Sequence, residues 1–236
     1  LEKNGKTLLK NVRELDQTNC KSVIFYYYLQ NKNVKYLSSI IKGYSSKYST
    51  YFDIKNEDFD NITKIIFDFD HTLTIEHIGT TPIESPDKVT EELIKKVFGS
   101  KDNIDNLKFI FSKFKNRIYI ASFGYKKTIE LLLDKVGLNI PHDRIYGNEG
   151  YKGDKNKMLN MISEDKSTIF FVDDDGVNIQ KAEKLDIKSF NVNKGKLSNE
   201  EYYDFWAKVY FFNQKLAGSE ESDLEKIYNK EIFFFR

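Results

Sequence analysis

Short apolar runs that alternate with amphipathic helical stretches predict an α/β fold, a central parallel sheet layered between helices as a three-layer sandwich. Two details sharpen this reading. Ile65-Ile66-Phe67 ends in Asp68-Phe69-Asp70, and Thr168-Ile169-Phe170-Phe171-Val172 ends in Asp173-Asp174-Asp175. Strands of a parallel sheet are buried on both faces, so they read as unbroken apolar runs, and ligands bind beyond their carboxyl ends. Both acidic groups are thereby expected at one functional edge.

Taken in order, strands are expected at Lys64 to Phe69, Arg117 to Ser122, Arg144 to Tyr146, Thr168 to Val172 and Lys188 to Val192. Helical spacing predicts helices near Asp87 to Phe98, Asn103 to Phe114, Lys126 to Val136, Asp154 to Ile162 and Val177 to Leu185. Leu131, Leu132, Leu133 and Val136 supply a face to pack on the sheet, and Gly137, ahead of Pro141, suits a helix C-terminus. This core is assigned to residues 61–196. Residues 1–60 form an N-terminal helical extension with an unusual aromatic content in Val23-Ile24-Phe25-Tyr26-Tyr27-Tyr28-Leu29 and Tyr36-Leu37, read as a layer on the core or as a lid or partner surface. Residues 197–236 form a C-terminal helical extension. There Tyr202, Tyr203, Phe205, Trp206, Val209, Tyr210, Phe211 and Phe212 keep a helical spacing expected to pack on the core, Gly218 to Ser222 make a loop, and Ile232 to Phe235 an aromatic terminus.

The 236 residues suffice for one sizeable core. With 37 basic and 36 acidic residues the net charge is +1, which gives no strong nucleic-acid or anionic-membrane signal. Cys20 has no second cysteine to pair with, and neither a signal-peptide core nor a membrane-length apolar run is found. An intracellular, cytoplasmic-type compartment is therefore expected. The wealth of Lys, Asn, Ile, Tyr and Phe, with 3 Pro, fits an AT-rich coding sequence.

The acids carry the chemistry. Asp68 and Asp70 suit a hard cation and acid/base work. Three carboxylates in succession at Asp173, Asp174 and Asp175 repel one another and are costly to hold without a cation. Oxygen donors with no His or Cys cluster favour Mg²⁺ over zinc. The run Arg117-Ile118-Tyr119-Ile120-Ala121 brings the Ser122 hydroxyl to the same edge, and Lys155 precedes a helical pattern in Met158, Leu159, Met161 and Ile162, where it suits a phosphate.

This ordered set resembles the haloacid dehalogenase-like (HAD) superfamily, in its phosphatase branch and minimally capped type, a Rossmannoid fold. Asp68-Phe69-Asp70-His71-Thr72 is similar to its first motif, D-x-D-x-T; Ser122 to the second; Lys155 to the third, with Lys152 and Lys157 as competitors; and Asp173-Asp174-Asp175-Gly176-Val177-Asn178 to the D-D-x-x-x-N form of the fourth. The resemblance implies a phosphomonoester hydrolase in which Asp68 is the nucleophile, forming an aspartyl-phosphate, and Asp70 moves the proton. It implies Mg²⁺ held by the Asp68 carboxylate, the Asp70 carbonyl and Asp174, with Asp173 as an alternate or supporting ligand and Asp175 able to share. Ser122 and Lys155 would bind phosphate, Asn178 would orient Lys155 or Asp174, and Thr72 would fix the turn after the nucleophile.

Intervals between the motifs bear on substrate size. Thr74 to Arg117 has room for a flap, centred on Glu76 to Pro82, and two helices; Ser122 to Asp173 has room for two αβ units. Neither holds a full cap domain, so a bulky or macromolecular phosphorylated substrate is expected to enter as readily as a small one. His77 is expected at the surface. A different class remains: a scaffold that contacts a protein partner through its aromatic terminal helices. It needs none of the acid, hydroxyl and lysine set. Dehalogenation needs neither Asp70 nor an acidic metal site.

Overall fold

The computed structural model describes residues 59–218, apart from 150, 152–153, 163–164 and 199–200. The expectations for residues 1–58, for Lys152 and for the aromatic terminus therefore lie outside the described residues. Residues Phe59–Leu216 form one compact unit.

Within it the chain runs β1 (Lys64–Phe67), α1 (Glu91–Phe98), α2 (Lys101–Phe114), β2 (Ile118–Ala121), α3 (Lys126–Lys135), β3 (Ile145–Tyr146), α4 (Lys155–Ile162), β4 (Ile169–Asp173), α5 (Gly176–Glu183), β5 (Lys188–Asn191) and α6 (Tyr202–Leu216). All strand pairings are parallel, in the order β3-β2-β1-β4-β5. β1 is central: Phe67 lies opposite Ile120 of β2 and Val172 of β4. The chain builds outward from β1 through β2 to β3, then returns to β1's other side for β4 and β5. That reversal is a topological switch point, where a crevice opens beyond the strand ends.

Local chemistry starts and stops the helices. Thr90 Oγ1 accepts the Leu93 amide ahead of α1, Ser100 Oγ accepts the Asn103 amide ahead of α2, and Asp175 Oδ1 accepts the Val177 amide ahead of α5. Gly137 ends α3 at φ +75°, with the Leu138 amide donating to the Leu133 carbonyl, the closure that favours glycine just past a helix.

Each sheet face has its own packing. On one, Ile66, Ala121, Ile169 and Phe171 meet Met158, Leu159 and Ile162 of α4 and Ile179 and Ala182 of α5. On the other, aromatic rings dominate: Phe67 stacks with Phe111 at 6.0 Å, Phe170 meets Phe205 and Phe212, and Trp206 lies among Phe59, Phe114 and Phe205. Phe205, Trp206 and Val209 are buried, so the stripe read from the sequence packs α6 against the core. Burying such rings contributes about 1.5–3 kcal/mol each.

The strands differ from expectation at their ends. β1 stops at Phe67, because the Phe69 carbonyl is taken by the amides of Thr72, Leu73 and Thr74 in a tight turn. β4 instead runs one residue further, to Asp173, whose carbonyl accepts the Val192 amide. Thr74 to Arg117 holds α1, α2 and 3₁₀ turns, and Ser122 to Asp173 holds α3, β3 and α4. Among the described residues no helix is long and apolar enough to cross a membrane.

Candidate active site at the carboxyl edge of the sheet

Asp68 directly follows β1, and its amide donates to the Val172 carbonyl at 2.8 Å, which extends the strand pairing to the residue itself. At this edge Asp68, Asp173 and Asp174 each bring one carboxylate oxygen within 4.8 Å of the others. Asp68 and Asp173 are buried; Asp174 is half-buried. Asp173 was expected beside the cation as a supporting group, and the structure puts it with Asp68 and Asp174 in the trio. Asp70 is absent from the trio because its carboxylate turns to the loop that follows.

Lys155 opens α4, fully buried, and its side chain runs back to β1 and β4. Its Nζ donates to Asp68 Oδ1 at 2.6 Å and to the Ala121 carbonyl at 2.5 Å, lies 3.3 Å from Asp173 Oδ2 and stands 4.7 Å from the centre of the Phe123 ring. An ammonium has three donors, and these oxygens engage them. Lys157 is exposed, its ammonium over the Tyr151 ring. Of these two lysines, Lys155 is the one at the acids.

One ammonium against three carboxylates leaves a deficit of positive charge. The Asp68 carboxyl is raised to about 7, first by burial and also by Asp173 and Asp174, against the downward pull of Lys155. Burial, then Asp173, raises Asp174 as well. Burial works against the Lys155 charge, yet Asp68 and Asp173 outweigh it and hold the ammonium above the usual lysine range. The proton belongs to the lysine, and the acids remain short of a counter-charge. A hard divalent cation fits that deficit and that donor set.

Asn178 was expected to orient Lys155 or Asp174. Its Nδ2 instead donates to Asp173, at 3.3 Å to Oδ1 and 3.1 Å to Oδ2. The Asp175 amide donates to Asp173 Oδ1 at 2.8 Å, so Asp173 is fixed from three sides. The cause is geometric: Asp173 still belongs to β4 and points inward, toward the start of α5.

Thr72 was expected to fix the turn. That work falls to Thr74, whose hydroxyl donates toward the Phe69 and Glu76 carbonyls and accepts the His71 amide at 3.1 Å. Thr72 Oγ1 is buried with no hydrogen-bond partner. His71 sits at φ +58°, a left-handed conformation unfavourable for a side chain, and its carbonyl accepts the Gly195 amide at 2.6 Å.

Asp70 Oδ1 accepts the amides of Ile78 at 2.8 Å and Gly79 at 2.7 Å. His77 Nδ1 lies 3.4 Å from Asp70 Oδ2, so this exposed residue still meets the site. Ser122, buried after β2, accepts the Gly124 amide on Oγ at 3.1 Å. Sequence reading missed the hold of the 78–79 amides on Asp70 and the Phe123 ring over Lys155. The glycines at 79 and 124 were the available signal.

No family model and no curated protein matches the chain. Solved structures that resemble it include the HAD domain of the effector protein Lem4 from Legionella pneumophila, at 20% identity over 61% of this chain and 93% of that one, with a TM-score of 0.41. Another is the Legionella pneumophila effector Ceg4, at 15% identity over 63% and 95%, with a TM-score of 0.42. The all-parallel five-stranded sheet with its helices is an α/β fold, with structural neighbours among HAD domains, and residues of all four motifs gather at one edge of it.

Proposed function

We propose that the protein is a Mg²⁺-dependent phosphatase that hydrolyses phosphomonoesters through a phosphoryl group carried on Asp68. The observation that carries this reading is the charge deficit at Asp68, where Asp173, Asp174 and one buried lysine converge. Asp68, Asp174 and Asp173 with the Asp70 carbonyl would hold the cation, which supplies charge stabilisation on the transferring oxygens and allows an anionic ester to approach an anionic nucleophile.

In the first step an Asp68 oxygen bonds to phosphorus as the ester P–O bond breaks, and Asp70 gives its proton to the departing oxygen. In the second, Asp70 takes a proton from water as that water attacks phosphorus, and Asp68 and inorganic phosphate separate. Ser122 contacts the non-bridging oxygens; Lys155, bonded to Asp68, holds the nucleophile in place and its nearby positive charge offsets the charge on those oxygens. Asn178 acts through Asp173, and Asp173 through Lys155. Without a full cap between the motifs, the site takes bulky phosphorylated groups as well as small ones.

The test is hydrolysis of p-nitrophenyl phosphate and a panel of phosphometabolites and phosphopeptides by the full chain. Turnover is expected in Mg²⁺, to stop with EDTA, and to fall on the order of 10³-fold or more in Asp68→Asn. Failure of every phosphomonoester in Mg²⁺ would sink this reading and leave the scaffold.

A further inference from the structure

Ser122 and Asp70 stand beyond different strands, and a chain of backbone contacts connects them. The Gly124 amide donates to Ser122 Oγ at 3.1 Å. Gly124 in turn lies directly on Gly79: a β-carbon placed on Gly124 would stand 2.7 Å from the Gly79 α-carbon and 2.9 Å from its carbonyl oxygen. The Gly79 amide donates to Asp70 Oδ1 at 2.7 Å, and its carbonyl accepts the Tyr125 amide at 2.6 Å. A β-carbon on Gly79 would meet Asp70 Oδ2 at 2.7 Å and the Gly124 α-carbon at 3.0 Å.

Neither glycine has a left-handed φ, so what both positions require is space. The loop is also tied down beyond the contact. Buried Thr128 donates its hydroxyl to the Thr81 carbonyl at 2.8 Å and accepts the Ile83 amide at 2.8 Å. The loop after the first motif is therefore strapped to α3 just beyond its approach to Asp70.

We infer that Gly79 and Gly124 form a backbone clasp that sets the Asp70 carboxylate relative to the phosphoryl position at Ser122, which makes them positioning residues for proton transfer to the leaving oxygen. This rests on the phosphatase reading. A general acid acts only within hydrogen-bond reach of its target, about 2.6–3.2 Å, and a misplacement near 1 Å costs about 10²-fold. Asp70 has backbone amides on one oxygen and crowding against Gly79 at the other, so a methyl group added at either glycine displaces the carboxylate or opens the clasp.

The experiment compares Gly79→Ala and Gly124→Ala with the parent on two esters: an alkyl phosphate, whose alkoxide must be protonated to leave, and 2,4-dinitrophenyl phosphate, whose phenolate leaves without a proton. Expected is a fall of about 10²-fold on the alkyl ester with the initial dinitrophenolate burst retained. In an Asp70→Asn background the glycine substitutions are expected to cost nothing further. Thr128→Val, which loosens the loop without crowding Asp70, is expected to show the same split more weakly, and it serves if the alanine variants fail to fold. A dinitrophenolate burst lost together with turnover of the alkyl ester, parent-like rates, or an undiminished effect in the Asp70→Asn background would each overturn the clasp while leaving the phosphatase reading intact. A parent chain inactive on both esters in Mg²⁺ overturns the two together.

Discussion

Asp68 and Asp70 are two residues apart and are held by opposite means. Asp68 is set by charge: a buried ammonium at 2.6 Å, with two more carboxylates beside it. Asp70 is set by backbone: amides of Ile78 and Gly79 on one oxygen, and no lysine or arginine paired with it among the described residues. The contrast teaches that one short motif serves two tasks because its acids face different environments. Under the proposed reaction the first offers its electrons to phosphorus and needs its charge balanced, while the second moves a proton and needs to be in the right place. Charge changes should therefore damage the Asp68 side through stability and metal binding, and shape changes the Asp70 side through rate.

The largest effect expected on this contrast comes from Lys155→Met. It leaves buried Asp68 and Asp173 without their ammonium, a loss of about 3–5 kcal/mol typical of breaking a buried ion pair. Thermal unfolding without metal should show it, and added Mg²⁺ should restore part of the loss. An unchanged melting temperature would mean the acids are not held by charge.

Asp173→Asn and Asp174→Asn should separate next, in opposite directions. Asp173 accepts from Lys155, Asn178 and the Asp175 amide, so the Asn variant is expected to lose about 1–3 kcal/mol by denaturant titration. Asp174 has its carboxyl raised by burial and by Asp173, so neutralising it should leave the metal-free protein at least as stable while weakening Mg²⁺ binding. Matching losses of stability would erase the distinction.

The last effect is one of pH. Asp68 rises from an unfolded value of 3.8 to about 7, so between these values the folded protein holds a proton that the unfolded chain has lost. The metal-free protein should thus lose stability as pH rises from about 4 to 7 and level off above. Mg²⁺ must displace that proton, so its affinity should rise by up to about tenfold per pH unit below 7 and flatten above it. Calorimetric titration across this range checks both the slope and where it ends.

The sheet, its helices and the edge where acids gather were legible because each rests on a local pattern: apolar runs closed by Asp68 and Asp173, helical spacing from Lys126 to Leu133, and Gly137 after α3. What escaped depends on direction and distance. Asp173 and Asp174 differ by one residue, and only the length of β4 decides which points toward Lys155. Thr72 and Thr74 are equally plausible turn residues by type; the three amides gathered on the Phe69 carbonyl give the task to Thr74. The hold on Asp70 comes from backbone amides, which leave no trace in side-chain identity except the small residues at 79 and 124.

The carbonyl of His71 accepts the Gly195 amide, joining the turn after the first strand to the loop that follows the last one. β1 likewise pairs with β4, which lies far along the chain. During synthesis β1 leaves the ribosome ahead of the rest of its unit and waits through most of it for the partners that complete its turn. Truncations that end before residue 195 should therefore retain the first motif's sequence but lack its finished geometry, and competence should arrive late in the growth of the polypeptide.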